Sequence, residues 1–513
     1  MTISPPRNAQ QVHSNQPLAI TFDRAVDHAS VTSRFHLQPA VAGSFRWEGD
    51  TLIFQHSPLQ PATAYRVTLD PGFTDTQGRA VPLLHYWSFQ TELAPALIDL
   101  APKAGQTGIS PLTDLSLTFS RAMDVHVLAA EVKLVETESA LPIALSFRQD
   151  PGDERHIAVV PLGLLDPNAT YALTVDRQAR DVDGNQLVIS TTASFVTGPA
   201  QPLNQALSFS AIETGNSSQG GVWIFDPTGA SRLAAPVGAV AFSWSSDGLG
   251  LICQNSAGQW FSWSLTQPGV TALPFQADWA EPLTSIDDVV YRQGSSLYRW
   301  RMGVAQPQLL ATDVKEAAVA PNGSEIAYVV PASSSSGDEI WAVFVDTLTR
   351  NRLGKEGTMI DSLAWAPDGS GLAYEAGDSG HKQLRVRDLT QAGNVRTLIS
   401  GDLGPARWQT GSSEMLVSAH VPTATQAQVK LFTVTLSDSP ETLDPGAGLP
   451  ARNDLSPELS APSPDGRQIA FVSSDGTTSQ IWMMNSDGTG LTPLTAWDPT
   501  TFPDTVQFLT WTR

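Results

Sequence analysis

The chain has 513 residues and a formal net charge of −21 at pH 7, with 41% hydrophobic and 16% charged residues. This composition supports well-packed cores and excludes wholesale disorder, and the length allows about three domains. The negative charge argues against a nucleic-acid partner, because an acidic chain gains nothing from neutralising phosphates. It favours either plain solubility or a surface that attracts cations or a basic partner.

The first residues show no export signal. Residues 2–6 pass directly into domain sequence, so no signal peptide is visible, and no N-terminal cysteine is present for lipidation. No apolar run approaches the ~18 residues that a membrane-spanning helix requires. Two interpretations therefore stay open: a cytosolic protein, or a chain whose leader or anchor has been removed.

Residues 1–93 and 94–199 repeat each other. The offset between the copies is 97 at the start and 106 further along, which predicts an insertion of nine residues in the second copy, around residues 131–155. The matched segments are 22–27 with 119–124, 61–69 with 167–175, 75–78 with 181–184, and 89–91 with 195–197.

Both copies have an all-β pattern. Short alternating runs such as residues 18–22 and 65–69 predict an immunoglobulin-like β-sandwich in each copy. Tyr65 and Tyr171 stand near strand starts, where a tyrosine hydroxyl can anchor a corner through a hydrogen bond to the backbone. We therefore expect both tyrosines to be structural.

A family resemblance rests on these repeated motifs. The pattern Phe-Ser-Arg-Ala-Met-Asp, then Leu-x-Pro-x-x-x-Tyr, Asp-x-x-Gly and Phe-x-Thr, is nearly complete in both copies and resembles bacterial Ig-like modules of the SbsA surface-layer type. The resemblance implies spacers or assembly elements on secreted and cell-surface proteins. Short proline-bearing linkers at residues 92–95 and 198–202 predict stiff connections.

The remainder, residues 200–513, carries a recurring turn. Asp or Asn followed by Gly at positions 247, 322, 368 and 465 divides it into gaps of 75, 46 and 97 residues. Read as two, one and two units, these gaps match the roughly 40–50 residues of a propeller blade. Degenerate copies are expected near residues 287–300 and 406–417.

The ends of this region predict a ring. Residues 506–511 are typical of the inner strand that opens a blade, whereas residues 207–210 and 222–225 are typical of outer strands without an inner one. If the last strand completes the first blade, no sheet edge stays open. The count is then seven blades: the composite one and six that open near residues 241, 282, 317, 363, 406 and 460.

The last unit carries a second resemblance. Ser-Pro-Asp-Gly at 463–466, Ile-Ala-Phe at 469–471 and Ile-Trp-Met-Met-Asn-Ser-Asp-Gly-Thr-Gly at 481–490 resemble the TolB-like propeller repeats of bacterial envelope proteins. The resemblance covers residues 200–513 and implies an envelope location. TolB is six-bladed, so the count of seven departs from that family.

Several acidic motifs were candidates for chemistry. Residues 181–185, with their counterpart 75–78, hint at a calcium loop but lack the EF-hand pattern, so a turn is predicted, as it is for residues 485–488. Asp287-Asp288 and Asp338-Glu339 are paired carboxylates of the kind that glycosidases use. Adjacent strand residues point to opposite faces, however, so solvated turns are predicted instead.

Other residue types give no catalytic set. The region after residue 200 has only His381 and His420, and no zinc motif or Gly-x-Ser-x-Gly nucleophile motif occurs. The single cysteine, Cys253, excludes an intramolecular disulfide and is expected in the core. Residues 331–338 are predicted to form a flexible hairpin tip.

Tryptophan is concentrated in the second part of the chain, with 12 of 14 after residue 200. We expect most of these side chains, including Trp244, Trp365 and Trp482, to wedge between blades. Trp279 or Trp497, in turn-rich surroundings, is a candidate for an exposed contact with a glycan or a partner.

The sequence thus predicts two tandem Ig-like β-sandwiches (1–93 and 94–199) and a β-propeller (200–513), with no catalytic, cofactor-binding or metal residues. The predicted function is a non-catalytic cell-envelope or extracellular protein that binds a protein or glycan of the envelope. Two alternatives stay open. One is a structural subunit of a surface layer or appendage that self-assembles, and the other is a propeller glycosidase or lyase.

Overall fold

A computed structural model describes residues 1–213, 216–225, 229, 231–332, 337–378, 381–391, 394–411, 413–422, 427–437, 440–452, 454–474, 479–495 and 505–512. Strands hold 56% of the residues and helices 3%, which confirms the all-β prediction. The chain divides into two compact units, residues 1–198 and residues 199–513.

The first module of the N-terminal unit is a sandwich of two four-stranded sheets, ordered β1-β3-β6-β5 and β2-β10-β7-β4, beside a small β8-β9 pair. Its elements are β1 (Thr2–Ser4), β2 (Ala9–Val12), β3 (Leu18–Thr21), α1 (His28–Thr32), β4 (Phe35–Gln38), β5 (Gly43–Glu48), β6 (Thr51–His56), β7 (Ala64–Leu69), β8 (Phe73–Thr74), β9 (Ala80–Val81) and β10 (His85–Thr91).

The second module repeats this plan with sheets ordered β11-β12-β16-β15 and β14-β13-β17-β18. Its elements are β11 (Leu97–Ala101), β12 (Leu115–Phe119), α2 (Val125–Glu131), β13 (Val132–Glu136), β14 (Pro142–Ile143), β15 (Leu145–Asp150), β16 (Asp153–Pro161), β17 (Thr170–Val175) and β18 (Thr191–Val196).

The repeated sequence motifs have the same structural roles in both modules. Asp27 and Asp124 cap the short helices by accepting N–H groups of the first turn, which is why an aspartate ends both six-residue motifs. The Tyr65 hydroxyl accepts a hydrogen bond from the Gln60 N–H at 2.9 Å, and Tyr171 has the equivalent bond at 2.7 Å. Both tyrosines are buried, so the predicted corner anchors are confirmed.

Strand register shows where the second module is longer. Leu37 and Leu134 pair with equivalent partners and are 97 positions apart, but Phe45 and Phe147 are 102 apart. The offset rises to 105 at the next strand and to 106 at the corner tyrosines. Insertions of five, three and one residues therefore make up the nine. The first two fall inside or close to the predicted range, and the five-residue insertion is associated with strand β14.

In the described residues, the second unit consists of seven antiparallel sheets, six with four strands and one with three. The first holds β19 (Leu207–Glu213), β20 (Asn216–Phe225), β21 (Ser231–Ala235) and the last strand, β45 (Thr505–Trp511). The next two are β22 (Ala239–Trp244), β23 (Gly250–Asn255), β24 (Gln259–Ser264) and β25 (Gln267–Gln276), and then β26 (Trp279–Pro282), β27 (Asp288–Gln293), β28 (Ser296–Arg301) and β29 (Gln308–Ala311).

Four more sheets follow, and a 3-10 turn at Pro445–Ala447 lies between the last two. They are β30 (Glu316–Val319), β31 (Glu325–Val330), β32 (Glu339–Phe344) and β33 (Arg350–Lys355); β34 (Ile360–Trp365), β35 (Gly371–Asp378), β36 (His381–Asp388) and β37 (Val395–Gly401); β38 (Leu403–Trp408), β39 (Glu414–Pro422) and β40 (Ala427–Thr435); and β41 (Leu459–Pro462), β42 (Gln468–Ser474), β43 (Ser479–Asn485) and β44 (Thr492–Pro493).

Neighbouring sheets of this unit share their hydrophobic cores. From the second sheet to the seventh, each successive pair contributes buried side chains to one common cluster. The seventh sheet packs on the first through a cluster that includes Ala470 and Leu509. Between the first and second sheets, Phe508 and Phe242 meet edge to face with ring centroids 5.2 Å apart.

The recurring turns and tryptophans fit this arrangement. At all four predicted turns the side-chain oxygen of residue 247, 322, 368 or 465 accepts the N–H two residues later, which is the hydrogen bond of an Asx turn. Indole N–H groups then join adjacent sheets: Trp244 to Ser208 Oγ, Trp365 to Ala318 O, Trp408 to Ala364 O and Trp511 to Ala461 O. With Trp482 half-buried against the cluster of the sixth and seventh sheets, the predicted wedging is confirmed for the three named residues.

Within the described part of the chain, no helix has the length and apolar character needed to cross a membrane.

Candidate functional site at the junction of the two N-terminal modules

The loop at residues 181–185 forms a tight turn at the end of the second module. The Gly184 N–H donates to the Asp181 carbonyl at 3.0 Å, and Asp181 Oδ1 accepts the N–H groups of Asp183 and Asn185. Gly184 has a φ of +89°, a conformation that glycine adopts without strain. The predicted turn is therefore confirmed.

The side chains of this loop meet residues of the first module in a polar cluster, which we call the junction cluster: His13, Glu92, Arg121, Asp181, Asp183 and Asn185. Glu92 comes from the short linker and is 1% exposed. Its Oε1 accepts from Asn185 Nδ2 at 2.8 Å, and its Oε2 from Arg121 Nη2 at 2.5 Å. One linker carboxylate thus binds two side chains of the second module.

Arg121 is the central cation of the junction cluster. Its Nε donates to Asp181 Oδ2 and its Nη2 to Asp183 Oδ2, both at 2.9 Å. His13 lies on the outer side, with Nδ1 2.8 Å from Asp183 Oδ2 and 3.1 Å from Glu92 Oε2. The cluster therefore joins the two modules through charge-assisted hydrogen bonds, which are roughly twice as strong as neutral ones.

The equivalent loop of the first module satisfies its aspartate with its own arginine. There Asp75 occupies the position of Asp181, and Arg79 from its own loop donates Nε to Asp75 Oδ2 at 2.9 Å. Asn185 stands at the position of Arg79, and Arg121 replaces the missing guanidinium. Arg24, the counterpart of Arg121, is 64% exposed, and its Nε lies 3.5 Å from Asp23 Oδ1. Hence the repeated loop has been adapted for contact in the second copy.

Comparison with known proteins identifies the family of these two modules. A family model described as a bacterial Ig-like domain matches residues 1–91 and residues 92–197. Both N-terminal modules are bacterial Ig-like domains. The junction cluster is accordingly the contact between two consecutive Ig-like domains, and the match ends in the region where the second unit begins.

Solved structures similar to parts of this chain include two described as TolB. TolB from Agrobacterium tumefaciens is 14% identical, with 60% of this chain and 97% of that chain covered at a TM-score of 0.32. TolB from Acinetobacter baumannii is 11% identical, with coverages of 82% and 99% and a TM-score of 0.36. Hydrazine synthase of Kuenenia stuttgartiensis is 15% identical, with coverages of 48% and 76% and a TM-score of 0.36. A search of curated proteins found no match.

The electrostatics of the Ig-like junction favour the charged forms of its cations. Burial lowers the pKa of Arg121, but the attraction of Glu92, Asp181 and Asp183 outweighs it, so the net pKa is raised. The hydrogen bond to Asp183 raises the pKa of His13, with burial opposing and Glu92 adding to the rise. The cluster has three carboxylates and one guanidinium, so it has an excess of negative charge. Protonation of His13 reduces this excess.

We expect the junction between the Ig-like domains to depend on pH through His13. A group whose folded pKa lies above its unfolded value of about 6.5 contributes stability below that value and loses it as pH rises through the folded pKa. The difference in unfolding free energy between wild type and His13→Asn should be largest near about pH 5.5, under about 1 kcal/mol because the side chain is exposed, and should vanish by about pH 8.5. NMR titration of the imidazole checks the folded pKa. A value at or below 6.5, or a difference that does not change with pH, would contradict this.

Three side chains of the junction have the spacing of a metal site. One ligand atom from each of His13, Glu92 and Asp183 lies within 4.8 Å of the others. However, Arg121 Nη2 is already 2.5 Å from Glu92 Oε2 and 2.9 Å from Asp183 Oδ2, so the guanidinium occupies the place that a cation would take. The residues therefore fit an arginine-filled ion-pair cluster better than a metal centre.

This arrangement predicts how the protein responds to metals. Adding zinc or calcium at about 1 mM, or removing metals with EDTA, should shift the thermal midpoint of the wild type by no more than about 1 °C. In Arg121→Met the vacated position should let zinc raise the midpoint, with Arg121→Met/His13→Asn as the control that removes the nitrogen ligand. Scanning fluorimetry measures both. Loss of wild-type stability in EDTA would show that a metal displaces the arginine.

The prediction that these paired carboxylates of the second unit lie in solvated turns is confirmed for the exposed Asp287 and is wrong for Asp288 and Asp338. Asp288 lies in β27 and accepts from Arg299 Nε at 2.8 Å and Nη2 at 2.6 Å, and Arg299 also reaches Asp346. Asp338 is buried and accepts the N–H groups of Ala332 and Ile360. Both carboxylates hold strands together, because each satisfies donors from a neighbouring segment.

The remaining candidates have structural or surface positions. Cys253 is fully buried, as predicted, and burial raises the pKa of its thiol to about 12. Residues 485–488 form the predicted turn, with Asp487 Oδ1 accepting from Thr489. Trp279 is half-buried against the core of the third and fourth sheets rather than exposed. His381 and His420 are exposed. Trp497 and residues 333–336 of the expected hairpin tip lie outside the described residues.

Sequence reasoning found the loop of the junction cluster but missed its partners. Glu92 was assigned to a linker, and His13 and Arg121 were not singled out. One signal was present: within the duplicated loop, Gln77 is replaced by Asp183 and Arg79 by Asn185. A loop that gains a carboxylate and loses its own arginine needs a new cation.

Proposed function

We propose that the chain is a non-catalytic protein of the bacterial cell envelope or outer surface. In this proposal the two Ig-like domains form a rigid spacer, and residues 199–513 form a propeller that binds a protein or glycan partner. The observation that carries it is the junction cluster, in which the buried Glu92 and the half-buried Arg121 fix one Ig-like domain on the next. A freely jointed pair would need no such contact. The envelope location is supported by the bacterial Ig-like family of both domains.

The second unit is proposed to be a seven-bladed propeller closed by β45. Its support is the order of packing: each sheet shares a hydrophobic cluster with the next, and the seventh meets the first. The antiparallel pairing of β45 with β19 supplies the fourth strand of the first sheet. Radial repetition of this kind leaves only short, protected sheet edges.

Binding rather than catalysis is supported by the buried carboxylates of the second unit, because cationic side chains or a hydroxyl already donate hydrogen bonds to them. Glu356 accepts from the Tyr374 hydroxyl and from the guanidinium groups of Arg385 and Arg387. Glu375 accepts from Lys382 Nζ at 2.8 Å, although burial raises the pKa of its carboxyl. These carboxylates bridge strands in the same way as Asp288 and Asp338.

The rigidity of the spacer can be measured in the full chain. Spin labels on the exposed positions Ser44 and Ser146, one in each Ig-like domain, should give a narrow distance distribution by double electron–electron resonance in a Cys253→Ala background. Arg121→Met should broaden the distribution, and Arg24→Met should not. A broad wild-type distribution would remove the spacer from the proposal.

The second experiment tests partner binding against the two other functions. The full chain is offered to envelope extract of its source organism and to an array of envelope glycans, and retention of one partner is expected. Asp361 is a carboxylate of β34 that is 44% exposed and pairs with Lys315 and Lys382. Hydrolysis of a polysaccharide or peptide that is lost in Asp361→Asn would overturn the non-catalytic proposal. Concentration-dependent assembly in sedimentation velocity, with or without calcium, would indicate a structural subunit instead.

A further inference from the structure

The two Ig-like domains differ at one sheet edge. In the second domain, β14 pairs antiparallel with β13, and Leu134 is opposite Ile143. In the first domain the strand equivalent to β13 is β4. It is the last strand of its sheet, and no described strand pairs with its outer side. An unpaired edge presents backbone donors and acceptors that readily accept another strand.

The difference follows from chain length. Between the equivalent positions Leu37/Leu134 and Phe45/Phe147 the second domain has five more residues, 137–141. These residues make the turn that brings Pro142–Ile143 back against β13. In the first domain Ala40 and Val41 stand at the positions of Pro142 and Ile143, but they directly follow Pro39 and belong to no strand. Without the turn, the returning segment forms no strand on β4.

In the first domain a groove occupies the position that β14 takes in the second domain. It has a volume of about 390 Å³ and lies between β4 and residues 40–45. Phe35, Phe45 and Phe54 line it, with ring centroids 4.9–5.3 Å apart. Phe45 is 37% exposed, which is a large apolar surface for an edge strand. Gly43 lets the strand pass this close, since a Cβ there would lie 2.5 Å from the Phe54 ring.

We propose that this groove binds an extended segment of a partner polypeptide, which adds an antiparallel strand to β4. The second domain supplies the template, because its own Pro142–Ile143 takes this position on β13. There the Glu136 N–H donates to the Leu141 carbonyl, and alternate residues of a strand face the same edge. Leu134, and by equivalence Leu37, therefore directs its backbone groups towards the added strand. Main-chain hydrogen bonds give such complexes their affinity, and pockets for alternate side chains give the specificity.

The chemistry of the segment follows from the groove. The residue opposite Leu37 corresponds to Ile143, so it should be a branched aliphatic residue that rests on the three phenylalanine rings. Proline is accepted beside it, as Pro142 is in the second domain. This surface belongs to the first Ig-like domain and not to residues 199–513, so it adds a peptide-binding site to the partner or glycan binding proposed above.

The test uses the full chain and a labelled synthetic peptide of residues 138–145, Glu-Ser-Ala-Leu-Pro-Ile-Ala-Leu. Fluorescence anisotropy should give saturable binding with a dissociation constant between about 10 μM and 1 mM. A peptide with Ile143→Asp should bind at least about tenfold more weakly. Phe45→Lys in the protein should have the same effect, whereas Ser44→Lys, which adds the same charge on the opposite face of β5, should not. Absence of any rise in anisotropy at about 1 mM protein overturns the proposal.

Two further measurements test whether the peptide binds in this groove rather than elsewhere on the protein. Hydrogen exchange of the wild type should slow at residues 35–41 when the peptide is added, and protection only elsewhere would overturn the assignment of the site. Inserting the five residues Thr-Glu-Ser-Ala-Leu between Pro39 and Ala40 should let the first domain fill its own groove. This variant should stay folded and bind no peptide, and retained binding would contradict the proposal.

Discussion

Replacing Arg121 with methionine is expected to lower the unfolding free energy of the N-terminal unit by about 3–5 kcal/mol, because it leaves buried carboxylates without their cation. Glu92 and Asp181 are fully buried and Asp183 is 11% exposed, so water compensates little of the lost attraction. Native-state hydrogen exchange of peptides from β12 and β17 measures the loss in the full chain.

The duplication provides a matched control for this experiment. Arg24→Met removes the equivalent guanidinium from the first domain, where it is exposed, and should cost less than about 0.5 kcal/mol. Adding Glu92→Gln to Arg121→Met should recover part of the stability, because one uncompensated charge disappears. Equal losses from Arg24→Met and Arg121→Met would show that the junction cluster adds no stability.

Truncation after residue 504 is expected to destabilise the second unit most severely. It removes β45, whose Val506 and Leu509 are buried and together contribute about 3–6 kcal/mol. It also exposes the edge of β19 and removes the indole bond from Trp511 to Ala461. The thermal transition seen by tryptophan fluorescence, which reports mainly on this unit because 12 of the 14 tryptophans lie in it, should fall by about 10 °C or more.

The same truncation can be rescued in trans. A synthetic peptide of residues 505–512 should restore much of the lost midpoint by pairing with β19 as the native strand does. A version with Leu509→Asp should fail, because that side chain lies in the core shared by the first and seventh sheets. An unchanged midpoint after truncation would mean that β45 contributes nothing to the unit.

Sequence patterns predicted those features that depend on residues close together in the chain. Tyr171 anchors a backbone group five residues earlier, and Asp465 closes its own turn. Each motif therefore contains both partners of the hydrogen bond that explains it. Four of the six predicted sheet starts followed from the same turn chemistry, and the two near residues 282 and 406 followed from the spacing between turns.

Features assembled from distant residues could not be predicted in this way. Glu92 meets Asn185 across 93 positions, and nothing beside Glu92 marks it as buried. Asp338 was predicted to lie in a solvated turn because it and the adjacent Glu339 would point to opposite faces of a strand, yet it accepts the N–H of Ile360, 22 positions later. The open edge of β4 became visible only when two registers were compared, because it depends on the absence of five residues.

The pairing of β19 with β45 also limits when the second unit can mature during synthesis. Ser208 is paired with Thr510, 302 positions later, so β19 leaves the ribosome long before its partner exists. Until then one edge of the nascent first sheet stays open while the other sheets assemble. Such late, long-range pairing makes folding slow and exposes the chain to aggregation. The unpaired edge of β19 must therefore be shielded while the unit is synthesised, either by a chaperone or by rapid completion of translation.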